Sequence, residues 1–318
     1  MMTRPAITTT GLRKEYQYGP HTIKAVDGID LSVAEGEFFG LLGPNGAGKS
    51  TTIGMLTTRI RPTGGSATVA GIDVLARPVE VRRRVAVVTQ RNTMDRQISV
   101  LENLEFRGRY FGMGRREARQ RGMELLTQFD IADKAKASLD EVSGGQARRA
   151  MICRAIMHRP EVLVLDEPSA GVDPQTRLHL WELLRQLHAE GQTVLLTTHH
   201  LEEAESLCQR IAIIDHGRVV ADGGIDEIKN AAGAEAVTTV VFTGDATPVA
   251  EIASKINDVT RVEVEGNRMR VHATRTTGLV GELAAAGADQ GLSIQDVSTL
   301  RPSLETAFLN LTGREYRQ

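Results

Sequence analysis

The segment GPNGAGKS, residues 43–50, restricts the fold of this chain more than any other stretch of its sequence. It matches the pattern G-x-x-x-x-G-K-[ST], in which glycines let the backbone turn tightly and point N–H groups at phosphates. The apolar run FFGLLG (38–43) precedes it and the helix-like run KSTTIGML follows it. A strand, a glycine loop and a helix in this order predict a nucleotide site, in which Lys49 reaches the β- and γ-phosphates and the Ser50 hydroxyl ligates Mg²⁺.

Two carboxylates follow a second apolar run, VLVLDE (162–167). A strand over these residues delivers Asp166 to its carboxyl end, where a carboxylate can hold the coordination shell of Mg²⁺. Glu167 is then placed to orient and deprotonate an attacking water, a role that contributes about 10²–10⁴ in rate. Without the glycine loop, the pair would fit the capping of the next helix equally well. Together with the loop, it predicts hydrolysis of the bound nucleotide.

A second glycine-containing turn occurs in DEVSGGQARRAMICRAIM (140–157). Ser143, Gly144 and Gly145 precede a helix-like run, and small residues at a helix N-terminus expose backbone N–H groups to an anion. The chain therefore contains two candidate anion sites that lie far apart in the sequence. The residues alone do not say which anion the second site would bind.

Short apolar runs alternate with helical ones over the first part of the chain. Runs that are apolar on both faces are typical of parallel strands covered by helices, so we expect an α/β fold with its chemistry at the carboxyl ends of the strands. Upstream, ITTTGLRKEY and IDLSVAEGE alternate like strands of an antiparallel sheet. The predicted strands are 38–43, 85–90, 162–167, 193–198 and 211–217, and the predicted helices are 49–58, 102–111, 145–158, 175–190 and 201–208.

The character of the sequence changes after DEIKNAAGAEA (226–236), which is poor in large apolar residues. The elements that follow are predicted in the order β-α-β-β-α-β, which is that of a ferredoxin-like fold. We therefore divide the chain into a nucleotide-binding domain, 1–228, and a small α+β domain, 229–318. The predicted elements of the second domain are strand 237–243, helix 248–256, strands 261–265 and 268–273, helix 276–288, strand 292–298 and a final helix over 302–313.

Composition and charge argue against several classes of protein. The chain has 318 residues, of which 41% are hydrophobic and 25% charged, and its net charge of −2 gives no reason to expect a nucleic-acid partner. Cys153 and Cys208 lack metal-binding or CxxC spacing, so we expect buried, inert thiols. The N-terminus has no apolar segment typical of a secretion signal. No window approaches the roughly 18 apolar residues of a membrane span, so a membrane function would need another subunit.

The order of these motifs resembles that of the ATPase subunit of an ABC transporter, over about residues 5–228. The resemblance implies a P-loop ATPase with a RecA-like core, an antiparallel β subdomain and a helical subdomain at about 91–158. Gln90 stands at the position of the Q-loop glutamine, which senses Mg²⁺ and the γ-phosphate. VSGGQ (142–146) is similar to the signature motif, and SAGVD (169–173) is similar to the D-loop.

The roles of the family's residues are carried over to the matching positions. Tyr16 stands where the family has an aromatic side chain that stacks on adenine, although Tyr18 is a second candidate. His199, rather than the adjacent His200, follows TT as the switch histidine does, and Asp173 links the two nucleotide sites. The implied catalytic residues are Glu167, His199, Lys49 and Gln90; the implied Mg²⁺ ligands are Ser50, Gln90 and Asp166; the implied ATP contacts are Tyr16, Gly43, Pro44, Asn45, Gly46, Ala47, Gly48, Lys49, Ser50, Thr51, Ser143, Gly144, Gly145, Gln146 and Asp173.

The second anion site has an explanation within this family. The resemblance implies that two copies of the chain close over two ATP molecules, so that Ser143, Gly144 and Gly145 of one copy contact the γ-phosphate held by the other. The chain departs from the family pattern at Val142 and Val172, where leucine is usual, and neither change removes a catalytic group. The resemblance therefore implies an active ATPase.

The segments TTHHLEEAE and FRGRYFGMGRREA, together with the C-terminal RPSLETAFLNLTG, resemble the ATPase subunits of ABC-2-type exporters, including drug-resistance and nodulation-type members. This implies an ABC-2-type transmembrane permease as partner, a homodimer, and a place on the cytoplasmic face of the membrane. Phe106, Tyr110 and Phe111 lie where the family docks its membrane subunit, and they fit either core packing or a partner groove. The alternative function is a soluble regulatory ABC ATPase whose C-terminal domain senses an effector.

Overall fold

A computed structural model describes residues 5–233, 235–300 and 303–312. Within these residues the chain forms two compact units, which divide between Gly223 and Gly224. No helix in the described ranges is long and apolar enough to cross a membrane. Residues 1–4, which belong to the N-terminal segment judged to lack a secretion signal, lie outside the described residues, as do Pro302 and Gly313 at the ends of the final predicted helix.

The first unit contains the predicted α/β core, and its main elements differ from the predicted ones by only a few residues at their ends. They are β1 (Pro5–Tyr18), β2 (His21–Ala34), β3 (Phe38–Leu42), α1 (Lys49–Leu56), β4 (Gly64–Val69), β5 (Ile72–Asp73), α2 (Pro78–Arg84), β6 (Val85–Val88), α3 (Val100–Tyr110), α4 (Arg115–Gln128), two 3-10 turns (Ala132–Lys134 and Leu139–Glu141), α5 (Gly144–Ile156), β7 (Val162–Asp166), α6 (Pro174–Ala189), β8 (Thr193–Thr198), α7 (Leu201–Leu207), β9 (Arg210–Asp215) and β10 (Arg218–Gly224).

A six-stranded sheet with the order β10-β9-β3-β8-β7-β6 runs through this unit. Its strands pair in parallel from β9 to β6. Every residue of β3 and of β8 is buried, as expected for strands with both faces covered. Because the strands are parallel, the carboxyl ends of β3, β8, β7 and β6 lie side by side at one edge of the sheet.

The upstream segments form the predicted antiparallel sheet, with the order β2-β1-β4-β5. Its apolar side chains, such as Leu12 and Ile29, share one core with Phe39 and Leu41 of the parallel sheet. The strand predicted over 29–37 ends earlier than expected, at Ala34. It ends there because the Glu37 side chain turns back and its Oε2 accepts a hydrogen bond from the Ala34 amide at 2.7 Å.

Helices α3, α4 and α5 pack against one another within the range predicted for the helical subdomain. Ser99 and Glu102 begin α3 with a reciprocal capping box, in which each side chain accepts from the other residue's amide. Two of the aromatic side chains of this region do not pack in the core, since Phe106 is 69% exposed and Tyr110 is 73% exposed. The core-packing interpretation is therefore wrong for these two residues. Phe111 is half-buried and stacks on the His158 ring, with centroids 3.9 Å apart.

The second unit contains the predicted ferredoxin-like arrangement. Its sheet has the order β12-β13-β11-β14 with all neighbours antiparallel, and Phe242, Met269 and Leu283 lie in the core between this sheet and two helices. Helix α8, which spans the predicted boundary at 228, packs against α11 in this unit, where Asn310 Nδ2 donates to Ala232 O at 3.0 Å. Its elements are α8 (Ile225–Ala231), β11 (Ala236–Phe242), α9 (Thr247–Ala253), β12 (Val259–Glu265), β13 (Arg268–Ala273), α10 (Leu279–Asp289), β14 (Ile294–Leu300) and α11 (Leu304–Thr312).

The two cysteines are buried and free, as the sequence predicts. Burial raises the pKa of both the Cys153 and the Cys208 thiol. Because the thiolate is the reactive form, both side chains are inert at neutral pH.

Candidate nucleotide site

Four segments that are distant in the sequence meet at the carboxyl edge of the parallel sheet. The loop 43–48 follows β3, and His199 follows the neighbouring strand β8. Asp166 ends the next strand, β7, with Glu167 directly after it, and Gln90 comes just after the outermost strand, β6. The parallel order of the strands therefore brings the predicted phosphate loop and all of the predicted catalytic residues to one edge.

The loop after β3 depends on glycine for its shape. A Cβ on Gly43 would lie 2.3 Å from the Ile214 carbonyl oxygen, and one on Gly48 would lie 2.5 Å from that of Ala25. Gly48 also has φ 111°, a conformation that L side chains rarely adopt. Gly46 has φ 82°, but a Cβ there would meet nothing within 4 Å. One side of the loop thus packs closely on the sheet, and the Gly46 side is open.

Lys49 folds back onto the carbonyl groups of its own loop. Its side chain is only 6% exposed, and Nζ donates to Gly43 O at 2.6 Å and to Pro44 O at 3.1 Å. Burial lowers the pKa of this ammonium group, while the charges of Glu167 and Asp166 oppose that shift. Within the described residues its hydrogen bonds go to two neutral carbonyl oxygens, which a negatively charged ligand can replace as stronger acceptors.

The other predicted phosphate contacts line the same loop and the first turn of α1. Ala47 is buried, and its carbonyl accepts from the Gly217 amide at 3.0 Å, which anchors the loop to the turn after β9. Asn45 and Ser50 are exposed, and Thr51 is half-buried. Ser50 is therefore accessible to a ligand at the start of the helix.

Asp166 is oriented by a buried threonine from the neighbouring strand. Thr197 Oγ1 donates to Asp166 Oδ1 at 2.7 Å, and Thr197 is fully buried. Hydrogen bonds to a charged acceptor are roughly twice as strong as neutral ones. The bond leaves Asp166 Oδ2 free of this donor, so one carboxylate oxygen remains for a cation.

Glu167 lies beside two of the other three predicted catalytic side chains, Gln90 and His199. Gln90 Nε2 donates to Glu167 Oε2 at 3.2 Å, and His199 Nδ1 lies 3.0 Å from Glu167 Oε1. Among the described residues His199 Nδ1 has no hydrogen-bond partner, because the ring is not oriented to form a bond with this carboxylate. Glu167 itself has φ 49°, a strained backbone conformation for a glutamate. The structure thus brings Gln90, Glu167 and His199 together.

The two adjacent histidines differ in their contacts. His199 contacts Glu167, whereas the His200 amide donates to Thr198 Oγ1 at 2.9 Å and its ring lies 4.2 Å from the His199 ring between centroids. Burial, followed by the nearby His199, lowers the pKa of His200. The geometry therefore favours His199 over His200 for contact with a ligand near Glu167.

The signature turn forms a well-capped helix start. Ser143 Oγ accepts from the Gln146 amide at 3.2 Å, and Gln146 Oε1 accepts from the Ser143 amide at 2.9 Å. Ser143 and Gly144 are exposed, and a Cβ on Gly144 would meet nothing within 4 Å. In the part of the chain that the structure describes, no hydrogen bond joins this turn to the loop 43–51. One chain therefore does not bring its two glycine turns together.

The remaining two predicted contacts have local partners. Asp173 caps α6, where its Oδ1 accepts from the Thr176 amide at 3.0 Å, and this interaction with Thr176 lowers its pKa. Tyr16 is half-buried on β1, with Lys14 Nζ 5.0 Å from its ring centroid. Tyr18 is 64% exposed. Among the described residues, no hydrogen bond or ring contact joins either tyrosine to the phosphate loop.

Sequence reasoning missed three buried polar residues of this region. Thr197 orients Asp166, as described above. Arg148 on α5 is 6% exposed and binds main-chain carbonyls, and Glu203 on α7 is fully buried. The only sequence signal for Arg148 and Glu203 is a charged residue on the apolar face of its helix, at the spacing that places it toward the core.

Comparisons with known proteins identify the family of this chain. Residues 26–170 match the family model described as ABC transporter. A daunorubicin resistance ATP-binding protein from Streptomyces coeruleorubidus is 43% identical over 94% of this chain and 93% of its own length. The chain belongs to the ABC transporter family. It is an ATPase of that family, built on the P-loop fold.

Other relatives and structures match this ABC ATPase over long stretches. The linearmycin resistance ATP-binding protein of Bacillus subtilis is 37% identical over 94% of this chain and 96% of its own, and Nod factor export ATP-binding protein I of Rhizobium sp. is 40% identical over 99% of each. A solved ATP-binding cassette, in a dimeric post-hydrolysis state bound to ADP and Pi, has a TM-score of 0.64 and is 27% identical over 69% of this chain and 98% of its own.

Proposed function

We propose that this ABC ATPase powers an exporter by hydrolysing ATP with Glu167 as the general base. The observation that carries the proposal is the position of the Glu167 carboxylate between Gln90 Nε2 and the His199 ring, at 3.2 Å and 3.0 Å. In the reaction, a water oxygen forms a bond to the γ-phosphorus and its proton passes to Glu167. The bond from the γ-phosphorus to the bridging oxygen breaks, and ADP leaves.

Lys49 would bind the γ-phosphate by exchanging its present acceptors. Its ammonium group donates to Gly43 O and Pro44 O in the structure. The same group interacts electrostatically with the carboxylates of Glu167 and Asp166. A phosphate oxygen is a charged acceptor and so binds an ammonium more strongly than a carbonyl does. The transferred phosphoryl group needs mainly positioning and charge stabilisation, which Lys49 and His199 supply.

The residues at this edge fit a Mg²⁺ ion. Ser50, Gln90 and Asp166 offer a hydroxyl, an amide and a carboxylate, and oxygen ligands of this kind are those that Mg²⁺ prefers. Among the described residues no cluster of three or more His, Cys, Asp or Glu could hold a metal ion. That fits a cation which is bound by few protein groups together with nucleotide phosphates and water. When bound, the cation neutralises charge on the phosphates.

Two copies of the chain would complete each site. Ser143, Gly144 and Gly145 lie at an exposed helix start and would close over the γ-phosphate held by the partner copy, with Asp173 between the two sites. Support comes from the solved cassettes that are described as dimeric. The capping box at Ser143 also supports this arrangement. Its two hydrogen bonds, to Gln146 and from Gln146, hold the N-terminus of α5 in place while Ser143 and Gly144 remain exposed to a partner.

The membrane partner would dock in a groove beside α3. The groove has a volume of about 970 Å³ and its described lining contains Arg82, Arg107, Tyr110 and Arg154 but no aspartate or glutamate. An exposed aromatic side chain next to several arginines is typical of an interface. We infer an ABC-2-type permease as the partner, which places the chain on the cytoplasmic face of the membrane. Relatives named for drug resistance and Nod factor export support export as the direction.

A substitution of the general base tests the proposed reaction. Glu167→Gln keeps the shape of the side chain but cannot take a proton, so we expect ATP binding to remain and phosphate release to fall by about 10²–10⁴-fold. Glu202→Gln is the matched control, because Glu202 is an exposed glutamate on α7. Phosphate release at the wild-type rate from Glu167→Gln would contradict the assignment.

A further inference from the structure

A buried arginine ties the signature helix to the catalytic strand ends of the same chain. Arg148 lies on α5, little more than one turn after the signature turn, and only 6% of its surface is exposed. Its Nη1 donates to Thr89 O at 2.5 Å, its Nη2 to Glu167 O at 2.6 Å and its Nε to Pro168 O at 2.6 Å. Weaker contacts reach Asp166 O at 3.2 Å and Gln90 O at 3.5 Å.

These acceptors belong to the backbone of the reaction site. Thr89 and Gln90 follow β6, and Asp166, Glu167 and Pro168 lie at the end of β7. One planar guanidinium therefore fixes the two segments that carry the glutamine and the carboxylate of the proposed mechanism. Because a guanidinium has five donors in a rigid fork, a movement of α5 must either carry these segments with it or break buried hydrogen bonds.

A buried carboxylate extends the connection to the following segment. Glu203 on α7 is fully buried, and its Oε1 accepts from Ser169 Oγ at 2.7 Å and from Trp181 Nε1 at 3.2 Å. Ser169 directly follows Pro168, so the turn after Glu167 is held on one side by Arg148 and on the other by Glu203. Glu203 also lies four residues after His199, in the first turn of the helix that follows it. Arg148 therefore contacts a turn that Glu203 also holds, through Ser169.

We propose that Arg148 is a positioning residue that couples the two nucleotide sites of the dimer. The signature turn of one chain closes over the partner's ATP, and this contact sets the position of α5. Because Arg148 is hydrogen-bonded to the backbone at Gln90 and Glu167, a shift of α5 moves these two residues at the chain's own ATP. The inference rests on the proposed function, since it requires the signature turn to act in the partner's site. Arg148 touches no reacting atom.

The adjacent arginine provides a matched control. Arg149 Nη1 donates to Phe129 O and Asp130 O, both at 3.0 Å, so its hydrogen bonds stay within the helical subdomain. Arg148→Met and Arg149→Met remove the same charge and the same number of atoms from neighbouring positions. Arg148→Lys is the conservative variant, and its three donors can restore some of the carbonyl contacts. It also serves if Arg148→Met does not fold.

The first measurement is the ATP dependence of steady-state hydrolysis by the full chain. We expect a wild-type Hill coefficient between 1 and 2, as for two coupled sites. Arg148→Met should lower kcat by about 10–100-fold and bring the Hill coefficient to about 1, because Glu167 is displaced. The ATP Kd should stay within about two-fold, because the phosphate loop is intact. Arg148→Lys should recover part of the kcat and part of the Hill coefficient, and Arg149→Met should change neither of these two quantities. A purely structural role would instead lower the melting temperature and the active fraction, with the Hill coefficient unchanged.

The second measurement is the ATP-bound dimer of Glu167→Gln, detected by size-exclusion chromatography. Adding Arg148→Met should raise the ATP concentration needed for this dimer by about 10-fold or more, whereas adding Arg149→Met should not. If Glu167→Gln forms the dimer but Arg148→Met leaves its ATP dependence and the Hill coefficient unchanged, the coupling role is wrong. A wild-type Hill coefficient of 1 also overturns it. If Glu167→Gln never dimerises with ATP, the proposed function fails and this inference fails with it.

Discussion

Two adjacent glycines at the start of α5 should respond in opposite ways to the same alanine substitution. A Cβ on Gly145 would lie 2.2 Å from Thr176 Cγ2, whereas a Cβ on Gly144 would meet nothing within 4 Å. Carbon atoms pack best at about 3.5–4.0 Å, so Gly145→Ala requires either a rotation of the Thr176 side chain or a movement of α5 away from α6. Such overpacking costs about 1–3 kcal/mol. Gly144→Ala has no clash, and alanine favours a helix over glycine by about 0.5–1 kcal/mol.

Thermal unfolding of the purified protein measures the difference. At about 2–4 °C per kcal/mol for a unit of this size, Gly145→Ala should lower the melting temperature by roughly 2–12 °C. Gly144→Ala should leave it unchanged or raise it by up to about 4 °C. An unchanged melting temperature for Gly145→Ala would refute the packing argument.

The ATPase rates of the same two variants separate packing from function. Gly144→Ala should lose most of its activity although it is stable, because the added methyl group would stand where the partner's γ-phosphate approaches. Gly145→Ala should also lose activity, but together with its stability. Wild-type hydrolysis by Gly144→Ala would refute the placement of a phosphate at this turn.

Three further outcomes follow from the structure. Loss of the adenine-stacking ring should raise the ATP Kd by about 5–150-fold, so binding of labelled ATP to Tyr16→Ala and Tyr18→Ala will show which tyrosine stacks; equal affinities would exclude both. Burial, together with the nearby charge of Arg107, lowers the pKa of His158 from an ordinary 6.5 to about 4. Between these two pH values the unfolded chain binds more protons than the folded one, so the free energy of unfolding should fall as the pH drops from 6.5 to 4. His158→Phe should remove about 1–2 kcal/mol of this dependence in urea unfolding, after allowance for partial exposure, and an unchanged pH profile would contradict the shift. Tyr110→Ala should keep the ATPase rate of the isolated chain and reduce co-purification of a multi-span membrane protein; unchanged co-purification would move the docking surface elsewhere.

Local patterns in the sequence predict much of the fold and part of the site. The glycine loop and the Asp166–Glu167 pair are recognisable because each feature is contained in one strand and the turn that follows it. The parallel sheet is recognisable because strands buried on both faces, such as β3 and β8, are continuously apolar. The second unit is also recognisable from local patterns. Apolar residues alternate with polar ones along its strands but recur every three or four residues along its helices.

Some helices and contacts have no such local signal. The sequence pattern does not indicate helix α4, because this helix buries only Ala118, Gly122, Leu125 and Leu126 and is otherwise rich in charged and polar residues. Helix α2 has seven residues and buries only Val81. The partners of Arg148 are main-chain carbonyls, which every residue carries, so nothing in the sequence marks them as acceptors. Thr197 acts through a neighbouring strand that only the sheet order identifies.

The central claim is that each ATP lies between one chain's phosphate loop and the partner's signature turn. Its most direct test is the mass of Glu167→Gln with and without Mg·ATP, measured by light scattering. The chain has a mass of 34.6 kDa, and we expect the mass to double with ATP. Adding Ser143→Arg to the same chain should keep it monomeric while it still binds ATP, because the arginine blocks only the partner's site. An ATP-bound dimer that tolerates Ser143→Arg would contradict the account.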